Sequence, residues 1–233
     1  MTTAAPRRDG TCFFEADPSL SLARRAAAEG LGALFLACVV VSAGLVWASE
    51  TGLGAIGRAI AVGPTLAGLI LLFGTVSGGH FNPLISLSQT LLGRREIGCL
   101  VAYVAAQVAG AVLGAGLAVW MCGRSLPVGA TPMATVLGSE AFATTGLMTL
   151  VIAAPRMRPA GVGPFAVGGW IAMTIVGLPA GPAANPAITL ALLAVGGASR
   201  LTTVAHLTAQ AVGLALALGA YAVTAPRPRG ASA

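Results

Sequence analysis

The chain has 233 residues, of which 56% are apolar and only 9% charged, with a formal net charge of +6 in which every cation is Arg and none is Lys. A soluble domain would carry roughly 25% charged residues, so the composition excludes one and places the chain in a bilayer. The arginines are not interleaved with aromatic residues as a nucleic-acid groove requires; they fit loops bordering membrane spans, and no nucleic-acid partner is expected.

Residues 1–25 hold Arg7, Arg8, Arg24 and Arg25 but lack the apolar core of a cleavable signal, so they read as a short cytoplasmic tail. Residues 26–225 then read as one membrane domain, followed by a second cytoplasmic tail at 226–233. Apolar runs predict six spans at roughly 27–48, 59–78, 98–121, 135–154, 163–180 and 201–224. Two shorter apolar segments, about 83–92 and 186–195, remain. Ten residues of helix reach roughly 15 Å, half of a hydrocarbon core, so neither segment spans. Each is an interfacial helix, a loop, or a half-helix that enters the membrane and stops.

Arginine placement tests the count. With a cytoplasmic amino terminus, six spans leave ten arginines inside and only Arg58, Arg124 and Arg200 outside. That is the asymmetry expected of a multi-pass protein, and five or seven spans would misplace one of the pairs. The four cysteines, Cys12, Cys38, Cys99 and Cys122, show no metal spacing, and no metal or other cofactor is expected.

The chain also repeats. Asn82-Pro83-Leu84 answers Asn185-Pro186-Ala187, and Ala106-Gln107 with Gly110 answers Ala209-Gln210 with Gly213, all at an offset of 103 residues. Glu29 and Glu140 open the first and fourth spans, and Gly63-Pro64 and Gly163-Pro164 fall early in the second and fifth. The repeats cover about 26–121 and 135–225. Each holds three spans, an odd number, so the copies lie in opposite orientations: an all-α membrane fold of six transmembrane helices plus two re-entrant half-helices in an inverted repeat.

Asn-Pro opens each half-helix. Pro suits the first turn, where its missing N–H has no partner to lose, and Asn caps the helix or projects its amide donors sideways. Two such helices entering from opposite faces meet at their amino termini, each with a partial positive charge. Irregular backbone at that depth is tolerated where it lines a cavity or is buried in protein. The arrangement predicts a narrow pore whose centre donates hydrogen bonds and repels cations.

The run Ser77-Gly78-Gly79-His80-Phe81-Asn82-Pro83 and the run Asn185-Pro186-Ala187 resemble the paired signature loops of the aquaporin (major intrinsic protein) family, and the likeness covers nearly the whole chain. The resemblance implies a passive channel for small uncharged solutes, embedded as a homotetramer in a lipid bilayer, and a bacterial inner membrane is expected. It implies that Asn82 and Asn185 orient the solute at the pore centre. It gives Glu29 and Glu140 the task of holding the signature loops, which agrees with the cost of carboxylates within spans. His80 resembles the family's loop histidine, with a packing and hydrogen-bonding role. His206 reads as a polar contact between helices.

Two positions depart from the family. Leu84 stands where Ala is usual, which predicts shifted packing of the half-helices or a modest narrowing. Ile188 stands where most members carry the Arg of the outer filter. The other filter positions are Val62, Pro182, and either Met173, from its spacing to Asn185, or Ile175, from its spacing to Gly163-Pro164. Either way this filter has no Arg, His or aromatic ring. The expected constriction is wide and greasy, admitting glycerol, urea or neutral metalloid hydroxides such as arsenous acid. In this it is similar to atypical bacterial aquaglyceroporin-like channels that lack the filter arginine and are associated with arsenic resistance. Arg58, one turn before Val62, supplies the missing charge or, as the sequence favours, snorkels to the outer headgroups.

Alternatives are a water-selective channel, an ion-coupled transporter, and a structural membrane protein on this scaffold. A transporter needs a coupling-ion site, for which the spans offer few carboxylates. An enzyme is not expected, because no nucleophile–base pair or metal cluster stands out.

Overall fold

The computed structural model describes residues 19–46, 54–126, 131–153 and 161–224. They form eight helices: α1 Leu22–Val46, α2 Gly54–Ser77, α3 Pro83–Leu91, α4 Ile97–Cys122, α5 Met133–Ala153, α6 Val162–Gly177, α7 Pro186–Ala194 and α8 Arg200–Thr224. Among the described residues there is no strand. The two nine-residue helices, α3 and α7, are the half-helices; of the expected tails at 1–25 and 226–233, residues 1–18 and 226–233 lie outside the described residues, and 22–25 belong to α1.

Five helices are long and apolar enough to cross a membrane, and α6, with 16 residues, is apolar but shorter. The span expected at 163–180 therefore stops early as a helix. Leu178 precedes Pro179, and the proline ring pushes it into extended backbone (φ −112°, ψ 137°). The span expected to begin at 59 instead begins at Gly54, so Arg58 is helical, and Pro64 falls inside α2 rather than near its start.

Long helices in lipid associate by backbone contact rather than by hydrophobic burial, and glycines mark where. α1 crosses α4 so closely that a methyl group on Gly110 would lie 2.0 Å from the Gly30 carbonyl oxygen, and one on Gly114 2.1 Å from that of Leu34. Gly213, the repeat mate of Gly110, plays the same part between α8 and α5, where a methyl would meet the Ala141 carbonyl at 2.8 Å. Gly63 of α2 and Gly168 of α6 lie carbonyl to glycine across the two halves. At the end of the bundle that carries Arg58, Arg124 beyond α4 donates to the Leu45 carbonyl of α1.

The helix pairs thus form a bundle around one core, and α3 and α7 fill its middle. Phe81 is fully buried with its ring over Gly32, where any side chain would collide with it.

Gly110→Val drives a branched side chain into the Gly30 carbonyl and is expected to cost at least about 1–3 kcal/mol. The thermal midpoint of the detergent-purified protein should fall. Gly116→Val, on the same helix with nothing within 4 Å of the added carbon, should leave it unchanged. Equal midpoints for the two variants would mean that α1 and α4 do not pack as described.

Candidate functional site: a cavity between two asparagines

Each signature loop reaches the middle of the bundle as irregular backbone, so its N–H groups need acceptors within the protein. In the first loop Gly78 N–H donates to the Gly74 carbonyl (2.8 Å) and Gly79 N–H to Ser77 Oγ (3.2 Å). Glu29 takes the next two: Oε1 accepts from His80 N (2.9 Å) and Oε2 from Phe81 N (2.6 Å). Ser77 Oγ also donates to Oε1 (2.5 Å), and Gln107 Nε2 donates to Oε2 (2.7 Å) and to Ser86 Oγ (3.0 Å). The carboxylate accepts at both oxygens from four donors.

The second loop repeats the plan. Glu140 Oε1 accepts from Ala183 N (2.8 Å), and Oε2 from Ala184 N (2.9 Å) and Gln210 Nε2 (3.0 Å). Gln210 also donates to Thr189 Oγ1 (2.9 Å), as Gln107 does to Ser86. Both glutamates are wholly buried. His206 stands in α8 with Nδ1 3.4 Å from Glu140 Oε1, a contact between helices.

The residue before each asparagine is left-handed, Phe81 at φ 48° and Ala184 at φ 47°. That turn aims each carbonyl at the opposite half. Asn82 Nδ2 donates to the Ala184 carbonyl and Asn185 Nδ2 to that of Phe81, both at 2.9 Å. Each asparagine meanwhile caps its own helix: Oδ1 accepts from Leu84 N and from Ala187 N, both at 3.0 Å, with Pro83 and Pro186 in the first turns. Two helix amino termini face one another across this brace.

A cavity of about 170 Å³ runs from both asparagines to the end of the bundle marked by Gly44, Arg58 and Leu126. By the measure in which one water needs about 10–15 Å³, it holds on the order of ten. Val62, Ile175, Pro182 and Ile188 all line it, and no Phe, Tyr or Trp does. Met173 does not; it is exposed on the outside of the bundle. Two residues apart on a helix point about 200° apart, so only one of the pair faces inward, and it is Ile175.

Leu84 is buried in the core cluster and is not among the residues lining this cavity. His80 lines the cavity's inner end, with Nδ1 2.9 Å from Ser86 Oγ and its ring edge-on to Tyr103. Gln107 and Gln210, with Ser86 and Thr189 four residues beyond each asparagine, are the supports that sequence reasoning gave no role. The shared offset of 103 was the available signal. Among the described residues no three His, Cys, Asp or Glu side chains gather as metal ligands would.

The chain matches the sequence model of the major intrinsic protein family over residues 17–179. Aquaglyceroporin AqpS of Rhizobium meliloti (strain 1021) is 35% identical over 178 residues, covering 73% of this chain and 75% of that protein. Aquaporin Z of Brucella melitensis biotype 1 is 32% identical over 152 residues, 58% of this chain and 66% of that one. The X-ray structure of the aquaglyceroporin from Plasmodium falciparum shares the fold, with a TM-score of 0.71 at 17% identity over 86% of this chain and 96% of that one.

Glu29→Gln turns an acceptor oxygen into an NH₂ group facing donors, and Glu140→Gln does the same in the other half. Each is expected to cost about 1.5–3 kcal/mol, the worth of a lost charged hydrogen bond. The measurement is the thermal midpoint in detergent. Midpoints equal to the native one for both variants would refute the clamp.

Proposed function

The chain belongs to the major intrinsic protein family, and we propose that its pore admits uncharged solutes larger than water, with glycerol, urea and neutral metalloid hydroxides such as arsenous acid as the class. The protein is a multi-pass membrane channel through which small solutes move passively. The observation that carries the finer reading is the cavity wall: between the asparagines and the Arg58 end it includes Val62, Ile175, Pro182 and Ile188, with no aromatic ring and no polar side chain among the four. Such a wall gives water no hydrogen bonds in exchange for its shell, and it accommodates the carbon or metalloid body of a larger neutral solute.

The centre supplies the complementary polarity. Asn Nδ2 carries two hydrogens, and the reciprocal brace uses one on each side, which leaves one donor per asparagine for a solute oxygen. Oxygen lone pairs are therefore oriented at the centre while the solute body slides along apolar walls. The facing helix amino termini raise the energy of a cation at the same point.

In this reading the Arg58 end is the outer mouth and both termini are cytoplasmic, supported by the arginine asymmetry of the loops. The bacterial relatives support an inner membrane. A homotetramer with one pore per subunit is the proposed assembly. Apolar side chains such as Leu31, Phe35, Ile60 and Leu72, exposed on α1 and α2, meet lipid or neighbouring copies.

Stopped-flow light scattering on proteoliposomes tests the reading with water, glycerol, urea and arsenous acid. Solute flux well above empty vesicles is expected. Ile188→Arg and Ile175→Phe should each cut it about tenfold or more, the change that one well-placed barrier of about 1.4 kcal/mol produces. Met173→Phe, on the outer surface, should leave it intact. Fast water flux with all three solutes excluded would overturn the wide pore and leave a water channel.

A further inference from the structure

Resting on that reading of the cavity as a neutral-solute path, we propose that Arg58 determines specificity at the pore mouth: its guanidinium repels cations and offers hydrogen-bond donors to arriving hydroxyl- or carbonyl-bearing solutes. Because α2 starts at Gly54, Arg58 lies on the helix one turn from Val62 and on the same face, and both line the cavity. Its Nε donates to the Gly54 carbonyl at 3.3 Å, which ties the head group to its own helix. The two terminal nitrogens lie equally, 3.6 Å each, from the point a Cβ would occupy on Gly181. The guanidinium thus straddles a bare glycine in the loop that carries Pro182 towards Asn185. Gly181 is left-handed (φ 54°) and has no side chain, and both properties give the flat head group its seat.

An arginine that merely reached for lipid headgroups would lead its head group away from the cavity and from Gly181. Arg58 does the opposite. It is the only charged side chain among the described residues that line the cavity. Among those residues its terminal nitrogens have no hydrogen-bond partner, which leaves their N–H groups available to a solute in the cavity that Arg58 lines. Between apolar walls the field of one fixed charge is weakly screened, so this residue sets the barrier that a proton or other cation meets first. A neutral oxygen-bearing solute meets donors there, and donors again at the two asparagines, with greasy wall between.

The test compares native protein with Arg58→Ala, Arg58→Gln, Arg58→Lys and the double variant Arg58→Ala, Ile188→Arg in proteoliposomes. It reads proton leak with an internal pH dye and solute flux by light scattering. Loss of the charge in the Ala and Gln variants is expected to raise proton leak about tenfold, the order of effect of removing one unit charge from a weakly screened rim. Arg58→Lys, which keeps the charge but not the flat head group seated on Gly181, should hold the leak below that of the Ala variant, and the double variant should return towards native. Arg58→Ala and Arg58→Gln with native leak and native solute rates would overturn the proposal. Native protein that passes no neutral solute would instead overturn the proposed function, while the leak comparison would still decide the part played by Arg58.

Discussion

Non-helical backbone survives within hydrocarbon only if each N–H group finds an acceptor inside the protein, and this chain carries two such stretches to the middle of its bundle. The rest of the structure follows from how they are satisfied. Glu29 and Glu140 each take two consecutive loop N–H groups, and a glutamine from α4 in one half and α8 in the other fixes the carboxylate. The remaining donors are handled differently in the two halves. The first loop uses Ser77 and a backbone turn to satisfy Gly79 and Gly78. The second replaces two donors with Pro179 and Pro182 and turns the Gly181 N–H back to the Leu178 carbonyl. The carboxylate is what the two solutions share, which is why burying it is tolerable: every donor around it is one that would otherwise be stranded.

Once the loops are held, the asparagines connect the halves. The left-handed turns at Phe81 and Ala184 carry strain of about 1–3 kcal/mol each for non-glycine residues. What that strain achieves is a carbonyl from each loop aimed at the other loop's amide. The same two residues thereby do three things: cap a half-helix, join the repeats, and present a donor to the cavity. A change at either asparagine disturbs all three, so the pore centre cannot vary independently of the fold.

Much of this was legible in the sequence because it repeats. Asn-Pro at 82 and 185 pointed to the half-helices, and the family resemblance gave the glutamates the loops to hold, in agreement with the cost of a carboxylate within a span. The six spans could be counted from apolar runs and checked by arginine. Other features were not legible, for physical reasons. The end of α6 depends on the Leu178-Pro179 pair, which hydropathy does not register, and hydropathy also missed that α2 is already helical before residue 59. Met173 and Ile175 are both apolar on an apolar helix, so no periodicity says which faces the cavity and which faces lipid. Leu84 allowed both a packing and a narrowing reading because its direction was unknown; it joins the core cluster, off the wall of the cavity towards Arg58. Arg58 left two readings open, a charge at the filter or a snorkel to headgroups, because nothing in the sequence says which way its side chain leads.

The repeat also explains where the two halves are free to differ. His80 and Ala183 occupy equivalent places, each giving its N–H to the Oε1 atom of its own glutamate, yet one carries an imidazole into the cavity and the other a methyl group. Tyr103 and His206 are likewise separated by 103 residues; the first bonds the Ser77 carbonyl and the second approaches Glu140. The backbone donors must be matched in both copies, so Glu, Gln and Asn recur, whereas side chains beyond that network answer only to the space they fill. The walls towards Arg58 belong to this second group. Val62 and Ile175 come from helices α2 and α6, Pro182 from a loop and Ile188 from a half-helix, and none of them holds the fold by a hydrogen bond that its repeat mate must copy. Selectivity can therefore change at the mouth, by one apolar residue or one arginine, without touching the clamp that keeps the loops in the membrane. The symmetric centre and the asymmetric mouth have different physical obligations, and it is the mouth that is free to set which solute passes.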